Sequence, residues 1–137
     1  MENEILLVKD NDNDAELAIR ALKKSNLANR IIRLEDGQQA IDYVHDEKNS
    51  MPRLILLDLK MPKVDGLDVL RELKSNEKTR SIPIVVMTSS KLDNDIVKSY
   101  DLGVNAYIVK PVNFDQFSKA VNEVGLFWLV LNQPPTF

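Results

Sequence analysis

The sequence predicts a single α/β domain with a doubly wound parallel sheet and helices on both faces. Five short apolar segments alternate with five segments whose apolar residues have helical spacing. The apolar segments are continuous, which is typical of strands buried on both faces. Such strict alternation of strand and helix favours a parallel sheet. The length of 137 residues is that of one domain.

Each predicted strand is followed by a predicted helix. The strands are Glu4–Val8, Arg30–Leu34, Arg53–Leu57, Ile82–Met87 and Ala106–Val109. The apolar positions that mark the helices are Ala15, Ala18, Ile19 and Leu22; Ala40, Ile41 and Val44; Leu67, Leu70 and Leu73; Ile96, Val97 and Tyr100; and Phe114, Phe117, Val121 and Val124. Asp12 and Asn13 are expected to open the first helix, and Gly103 to end the fourth.

Composition excludes several classes of function. The net charge is −3 with scattered basic residues, which disfavours nucleic-acid binding. No cysteine is present, and the single His45 cannot form a histidine metal cluster. The start "MENEILL" has no secretory pattern, and the longest apolar run, "LFWLVL", is too short to span a bilayer. We therefore expect a cytoplasmic protein that binds neither nucleic acid nor membrane.

Charged and hydroxyl side chains follow four of the five strands. In open α/β sheets, ligands bind beyond the carboxyl ends of the strands, where the strand order reverses. For the order 2-1-3-4-5 this point lies between the first and third strands. The residues at these strand ends are Lys9 and Asp10, then Asp58, then Thr88, Ser89 and Ser90, and finally Lys110.

The segment "LILLDLKMPKVDG", with "MTSS" and "YIVKP" downstream, resembles the receiver domain of two-component response regulators. The resemblance covers essentially the whole chain, with three motifs in the right order. It implies a flavodoxin-like (βα)5 fold and one receiver domain over 1–137, with 125–137 as a hydrophobic extension of the last helix. The C-terminal stretch also resembles single-domain regulators found with phytochrome-like or hybrid kinases.

The resemblance implies a phosphoacceptor role for Asp58, with a histidine kinase or histidine phosphotransfer protein as donor. It also implies Mg²⁺ bound by Asp10, Asp58 and the main-chain carbonyl of Lys60, since this ion prefers oxygen ligands. Lys110 would pair with the phosphoryl charge, and the Lys110–Pro111 bond would be cis. Such a domain assists its own phosphorylation and dephosphorylation, and is not otherwise an enzyme.

The resemblance further assigns a switch. Thr88 would donate its hydroxyl to the phosphoryl group, and Tyr107 would then turn inward. The surface of the fourth helix, fifth strand and fifth helix would change its affinity for partners. Lys60 and Ser90 occupy positions that modulate the lifetime of the aspartyl phosphate.

Lys9 departs from the receiver pattern, in which two adjacent acids follow the first strand. Asp10 fills the place of the direct metal ligand, but Lys9 replaces the other acid. Three alternatives follow. Lys9 points to solvent or pairs with Asp12 or Asp14; or it enters the pocket and lowers Mg²⁺ affinity by stabilising the Asp58 carboxylate; or it biases the protein toward its signalling state without phosphate.

The C-terminal apolar run has two interpretations. Six apolar residues in a row cover every face of a helix, so some must be buried against other residues. They pack onto their own domain, or they form a homodimer or partner surface around Phe127, Trp128 and Leu131.

Four functions compete at this stage. The first is a phosphorylatable response regulator that signals by protein contact. The second is a pseudo-receiver, a protein-binding module whose metal site Lys9 has impaired. An aspartate phosphatase would need a second acid where Lys60 stands, and a DNA-binding protein would need a basic recognition helix.

Overall fold

The computed structural model describes residues 4–26, 30–61, 63–111 and 113–134, so the last three residues of the predicted extension lie outside it. The strands are β1 (Glu4–Val8), β2 (Arg30–Leu34), β3 (Leu54–Leu57), β4 (Ile84–Thr88) and β5 (Ala106–Val109). The helices are α1 (Asp12–Ser25), α2 (Gly37–His45), α3 (Gly66–Ser75), α4 (Asp93–Asp101) and α5 (Phe114–Leu126), with a π-helical turn at Phe127–Leu131.

The five strands form one parallel sheet in the order β2-β1-β3-β4-β5, as predicted. Strands β1, β2 and β5 have the predicted bounds, and β3 begins one residue late. Strand β4 begins at Ile84, because the preceding Pro83 has no amide hydrogen to donate to the ladder. The carbonyl of Pro83 still accepts a hydrogen bond from Ile55 at 3.0 Å.

Side chains that alternate along the strands form two cores, one on each face of the sheet. Leu7 and Leu56 belong to the core that α1 and α5 cover, whereas Leu6 and Ile55 belong to the core that α2 and α3 cover. All four are essentially inaccessible to solvent. Truncating such a leucine to alanine typically costs about 2–5 kcal/mol, so both cores hold the strand ends firmly in place.

Helix α1 begins one residue earlier than the predicted opening by Asp12 and Asn13. Its N-cap is Asn11, whose side chain accepts a hydrogen bond from the amide of Asp14 at 3.0 Å. Asp12 is free for another contact and pairs with Arg33 at 2.8 Å. The cap therefore leaves an acidic side chain available to the neighbouring strand.

Helix α4 presents a different face to the domain from the one predicted. Val97 and Tyr100 are 56% and 55% exposed, whereas Asp95 and Ser99 are buried. The hydroxyl of Ser99 donates to the main-chain oxygen of Asp95 at 2.8 Å, so its buried polar group is satisfied. Hydrogen bonds within this polar face thus override the apolar pattern of the sequence.

The end of the chain follows α5 with a π-helical turn. Leu129 is buried, and Trp128 packs against the core under α1 and α5. Phe127 and Leu131 remain exposed. Among the described residues, no helix combines the length and the hydropathy needed to cross a membrane.

Candidate functional site

The carboxyl ends of the strands bring the predicted site residues to one edge of the sheet. The amide of Asp58 donates to Val8 at 3.0 Å, which aligns the end of β3 with the end of β1. The amide of Lys110 donates to the carbonyl of Thr88, which joins the end of β5 to β4 in the same way. Residues far apart in the sequence therefore share one site.

Asp58 lies on a tightly packed loop and remains accessible. Its side chain is 15% exposed, and the amide of Lys60 donates to its Oδ1 at 3.4 Å. Gly66, at the start of α3, packs against this loop so closely that a Cβ there would collide with the carbonyl oxygen of Asp58. Its amide donates to Leu59 at 2.9 Å. Glycine at this position therefore lets α3 support the Asp58 backbone directly.

Lys9 is buried inside the site. Its side chain is 1% exposed, and its Nζ lies 3.8 Å from Oδ2 of Asp58. The ammonium also donates to the carbonyl of Met87 at 3.3 Å. The alternative in which Lys9 points to solvent is therefore wrong, because β1 directs the side chain between β3 and β4.

The proposed partners of Lys9 on α1 are engaged elsewhere. Asp12 pairs with Arg33 and Asp14 with Lys110, so neither draws Lys9 out of the site. Burial lowers the pKa of Lys9, and the neighbouring carboxylate of Asp58 opposes that shift. A buried ammonium is costly unless it is paired, so Asp58 is its main compensating charge.

Arg33 is a site residue that the sequence reasoning missed. Its guanidinium donates to the main-chain oxygen of Lys9 through Nε at 3.1 Å and Nη2 at 3.0 Å, and to that of Asp10 at 3.2 Å. It therefore holds the loop that carries both residues. A charged residue within a predicted buried strand was the available signal.

The Lys110 ammonium contacts side chains of α1 and α5. It forms an ion pair with Asp14 and lies 5.6 Å from the centre of the Phe117 ring. Asp14 on α1 is therefore the counter-charge of Lys110. No peptide bond among the described residues is cis, so Lys110–Pro111 is trans and that expectation is wrong.

Thr88 and Tyr107 both contact the loop between β4 and α4. Thr88 is buried, and its Oγ1 accepts from the amide of Ser90 at 3.4 Å. The Tyr107 hydroxyl donates to the carbonyl of Ser90 at 3.1 Å, and burial raises its pKa. Ser90 therefore links the two predicted switch residues.

Asp95 is a second residue that the sequence reasoning missed. Its carboxylate accepts a hydrogen bond from the Ser90 hydroxyl at 2.5 Å and lies 3.7 Å from the ammonium of Lys60. The sequence analysis assigned only Ile96, Val97 and Tyr100 to the fourth helix, so the burial of Asp95 is seen only in the tertiary structure.

The oxygen donors at the site suit a hard divalent cation. A cleft of about 360 Å³ is lined by Asp10 and Lys60, among others. Within the described parts of the chain, the Asp10 carboxylate has no ion-pair partner, and no three acidic or histidine side chains cluster as a metal site. Asp10 and the Lys60 carbonyl at this cleft, with Asp58 at the end of β3, are the oxygen donors that would hold Mg²⁺, and the Lys9 ammonium beside Asp58 reduces the negative charge that attracts it.

Residues 5–122 match the family model of the response regulator receiver domain. The chain belongs to this family. The receiver fold, with its strand order, is the fold observed here. Receiver domains are phosphoacceptors that interact with histidine kinases, and this protein is a response regulator of that type.

Two relatives are similar to this chain over most of their length. The chain is 42% identical over 134 residues to the probable methanogenesis regulatory protein FilR2 of Methanothrix harundinacea, covering 96% of this chain and 86% of that one. It is 40% identical over 129 residues to response regulator Rcp1 of Synechocystis sp., covering 91% and 88%.

Solved structures of two regulators superpose closely. The Mn²⁺-bound form of Rcp1 has a TM-score of 0.92 at 38% identity, covering 98% of this chain and 99% of that one. The phosphorylated cyanobacterial phytochrome response regulator RcpA has a TM-score of 0.93 at 39% identity, covering 99% and 100%. Receiver structures similar to this one thus hold a divalent metal or a phosphoryl group.

Replacing Lys9 with methionine is expected to tighten Mg²⁺ binding. The substitution removes a buried charge near Asp58 and keeps an apolar stem of similar length. A charge at such short range changes binding by at least about tenfold, even at a moderate effective dielectric constant. Isothermal titration calorimetry of unphosphorylated protein measures the dissociation constant.

Lys91→Met is the matched control for this substitution, because it makes the same charge change at an exposed position. Equal effects of the two substitutions, or none from Lys9→Met, would show that the Lys9 ammonium does not oppose the metal.

Proposed function

We propose that Asp58 is the residue that accepts the phosphoryl group. Its carboxylate is accessible at the carboxyl end of β3, with the Thr88 hydroxyl on the adjacent strand. The carboxylate oxygen would attack phosphorus of a phosphohistidine, forming an O–P bond as the P–N bond breaks and the imidazole leaves. The position of this carboxylate carries the assignment, because a phosphohistidine can reach it at the carboxyl end of β3, beside the strand that carries Thr88.

Positioning and neutralisation of charge provide most of the catalysis in phosphoryl transfer. Mg²⁺ held by Asp10, Asp58 and the Lys60 carbonyl would supply positive charge to the phosphoryl oxygens. The Thr88 hydroxyl would donate to one of those oxygens. Lys110 would join them by exchanging its Asp14 partner for the new anion. The domain would thus assist its own phosphorylation and dephosphorylation without acting on another substrate.

The switch would act through Ser90. In the structure, the Thr88 hydroxyl oxygen accepts a hydrogen bond from the amide of Ser90. This bond would break when the Thr88 hydroxyl turns toward the phosphoryl group. Tyr107 holds the carbonyl of the same residue, so movement of the loop changes the setting of Tyr107. The outer surface of α4, β5 and α5 would then differ between two populations with different partner affinity.

Phosphorylation by acetyl phosphate tests this assignment. Wild type with Mg²⁺ is expected to gain one phosphoryl group by intact mass, and Asp58→Asn none, because the nucleophilic carboxylate is lost. The Lys9→Asp variant is expected to become phosphorylated at lower Mg²⁺ concentrations than wild type, because the substitution adds a carboxylate beside Asp10. A phosphoryl group retained in Asp58→Asn would contradict the assignment.

The second candidate function is a pseudo-receiver that binds protein without the metal-dependent cycle. The buried ammonium of Lys9 favours it, since a fixed cation beside Asp58 partly replaces the charge of the metal. An unmodified wild type whose phosphorylation is restored by Lys9→Asp would establish this function instead. If Lys9 instead biases the protein toward its signalling state, unphosphorylated wild type is expected to bind its partner.

We infer that a histidine kinase or histidine phosphotransfer protein supplies the phosphoryl group in the cytoplasm. The similarity to phytochrome regulators favours a phytochrome-like kinase as the source.

We infer that the C-terminal extension over 125–137 binds a second copy of the chain, together with the surface of α4, β5 and α5. Phe127 and Leu131 are exposed on the π-helical turn, whereas Trp128 packs on its own domain. Trp128 would therefore support the contact from behind, and the exposed pair would make it. Leu126 and Val130 extend the same apolar surface.

The double substitution Phe127→Ser and Leu131→Ser is expected to convert a dimer to a monomer, because it removes exposed apolar area that only a partner buries. Light scattering at tens of micromolar measures the mass. The pair Glu47→Ser and Lys48→Ser is the control, since both residues are exposed in the loop after α2, outside the proposed dimer surface. A monomeric wild type would exclude the dimer.

A further inference from the structure

Helix α4 is attached to the domain through polar side chains. Asp95 and Ser99 are its buried residues, at 8% and 0% exposure. Its N-cap, Leu92, provides no side-chain hydrogen bond. The position of the helix therefore depends heavily on what the Asp95 carboxylate contacts.

Asp95 contacts the two segments that flank Asp58. The Ser90 hydroxyl of the loop before α4 donates to Oδ2 of Asp95 at 2.5 Å. The ammonium of Lys60, two residues after Asp58, lies 3.7 Å from the same oxygen. The Tyr107 hydroxyl is connected to these groups because it donates a hydrogen bond to the carbonyl of Ser90. We refer to Lys60, Ser90, Asp95 and Tyr107 as the Asp95 cluster.

The same donors lie close to the phosphoacceptor. The amide of Lys60 donates to Asp58, and the amide of Ser90 donates to Thr88. A phosphoryl group on Asp58 would add negative charge and strong acceptor oxygens within reach of these segments. The Asp95 carboxylate and the phosphoryl group would therefore compete for the Lys60 ammonium and the Ser90 hydroxyl.

We propose that Asp95 is a positioning residue that holds the Asp95 cluster in the unphosphorylated arrangement and opposes phosphorylation of Asp58. The inference rests on the proposed role of Asp58. The ion pair with the exposed Lys60 contributes little, because solvent screens it. The bond from Ser90 is charge-assisted and half-buried, so it is the stronger restraint. Phosphorylation thus requires Asp95 to release the loop that precedes α4.

Asp95→Asn is the test, because it keeps the shape of the side chain and removes its charge. Asp93→Asn is the matched control, since Asp93 is an exposed acid in the same turn. The initial rate of phosphorylation by acetyl phosphate is measured by intact mass, and amide hydrogen exchange over residues 89–92 is measured without phosphate. We expect Asp95→Asn to raise the phosphorylation rate at least about fivefold and to speed exchange.

An unchanged phosphorylation rate in Asp95→Asn, or an equal rise in Asp93→Asn, would overturn the proposal. A merely structural role would speed exchange but would not raise the rate. Ser90→Ala completes the test: because Ser90 and Asp95 act as one unit, the double variant is expected to match the larger single effect. Fully additive effects would contradict this.

The outcomes also separate this inference from the proposed function. A wild type and an Asp95→Asn variant that both remain unphosphorylated would refute the role of Asp58. In that case, amide hydrogen exchange over residues 89–92 would still test whether Asp95 holds the loop. Exchange that Asp95→Asn leaves unchanged would show that it does not.

Discussion

The contact between the Lys9 ammonium and the Asp58 carboxylate is the interaction on which the site depends. The two groups lie 3.8 Å apart at the ends of adjacent strands, and Lys9 is fully buried. Because a buried cation needs an anion, this pair fixes the charge state of the site before any ligand arrives. It also weakens the attraction of Asp58 for a second cation, and Lys110 pairs with Asp14.

The sheet makes this contact possible, since parallel strands end at the same edge. Arg33 holds the loop that carries Lys9 from one side, and Gly66 supports the loop of Asp58 from the other. The site is thus braced by elements that take no part in its chemistry. The loop before α4 is held instead by the hydrogen bond from the Ser90 hydroxyl to the Asp95 carboxylate. The loops of Lys9 and Asp58 are therefore held by contacts to their backbone, whereas the loop before α4 is held by a hydrogen bond between side chains.

Periodicity in the sequence predicts the strands well, because five buried strands leave continuous apolar runs, whereas their order follows from the resemblance to receiver domains. The same reasoning fails for α4, where Val97 and Tyr100 face outward and Asp95 inward. Its inner face is stabilised by hydrogen bonds to Ser90, which no periodicity encodes. Periodicity also leaves open whether the Lys9 side chain faces solvent or the site, because this depends on which carboxylates lack another cationic partner. Asp12 and Asp14 are occupied by Arg33 and Lys110, which lie far away in the sequence.

Heteronuclear NMR of the lysine ammonium groups tests most directly whether Lys9 is held against Asp58. At mildly acidic pH, a buried and hydrogen-bonded ammonium exchanges its hydrogens slowly with water. We expect a protected signal that disappears in Lys9→Met and shifts in Asp58→Asn, beside that of Lys74, whose ammonium makes three hydrogen bonds. A Lys9 signal that exchanges as fast as those of surface lysines, and that Asp58→Asn leaves unchanged, would contradict the account.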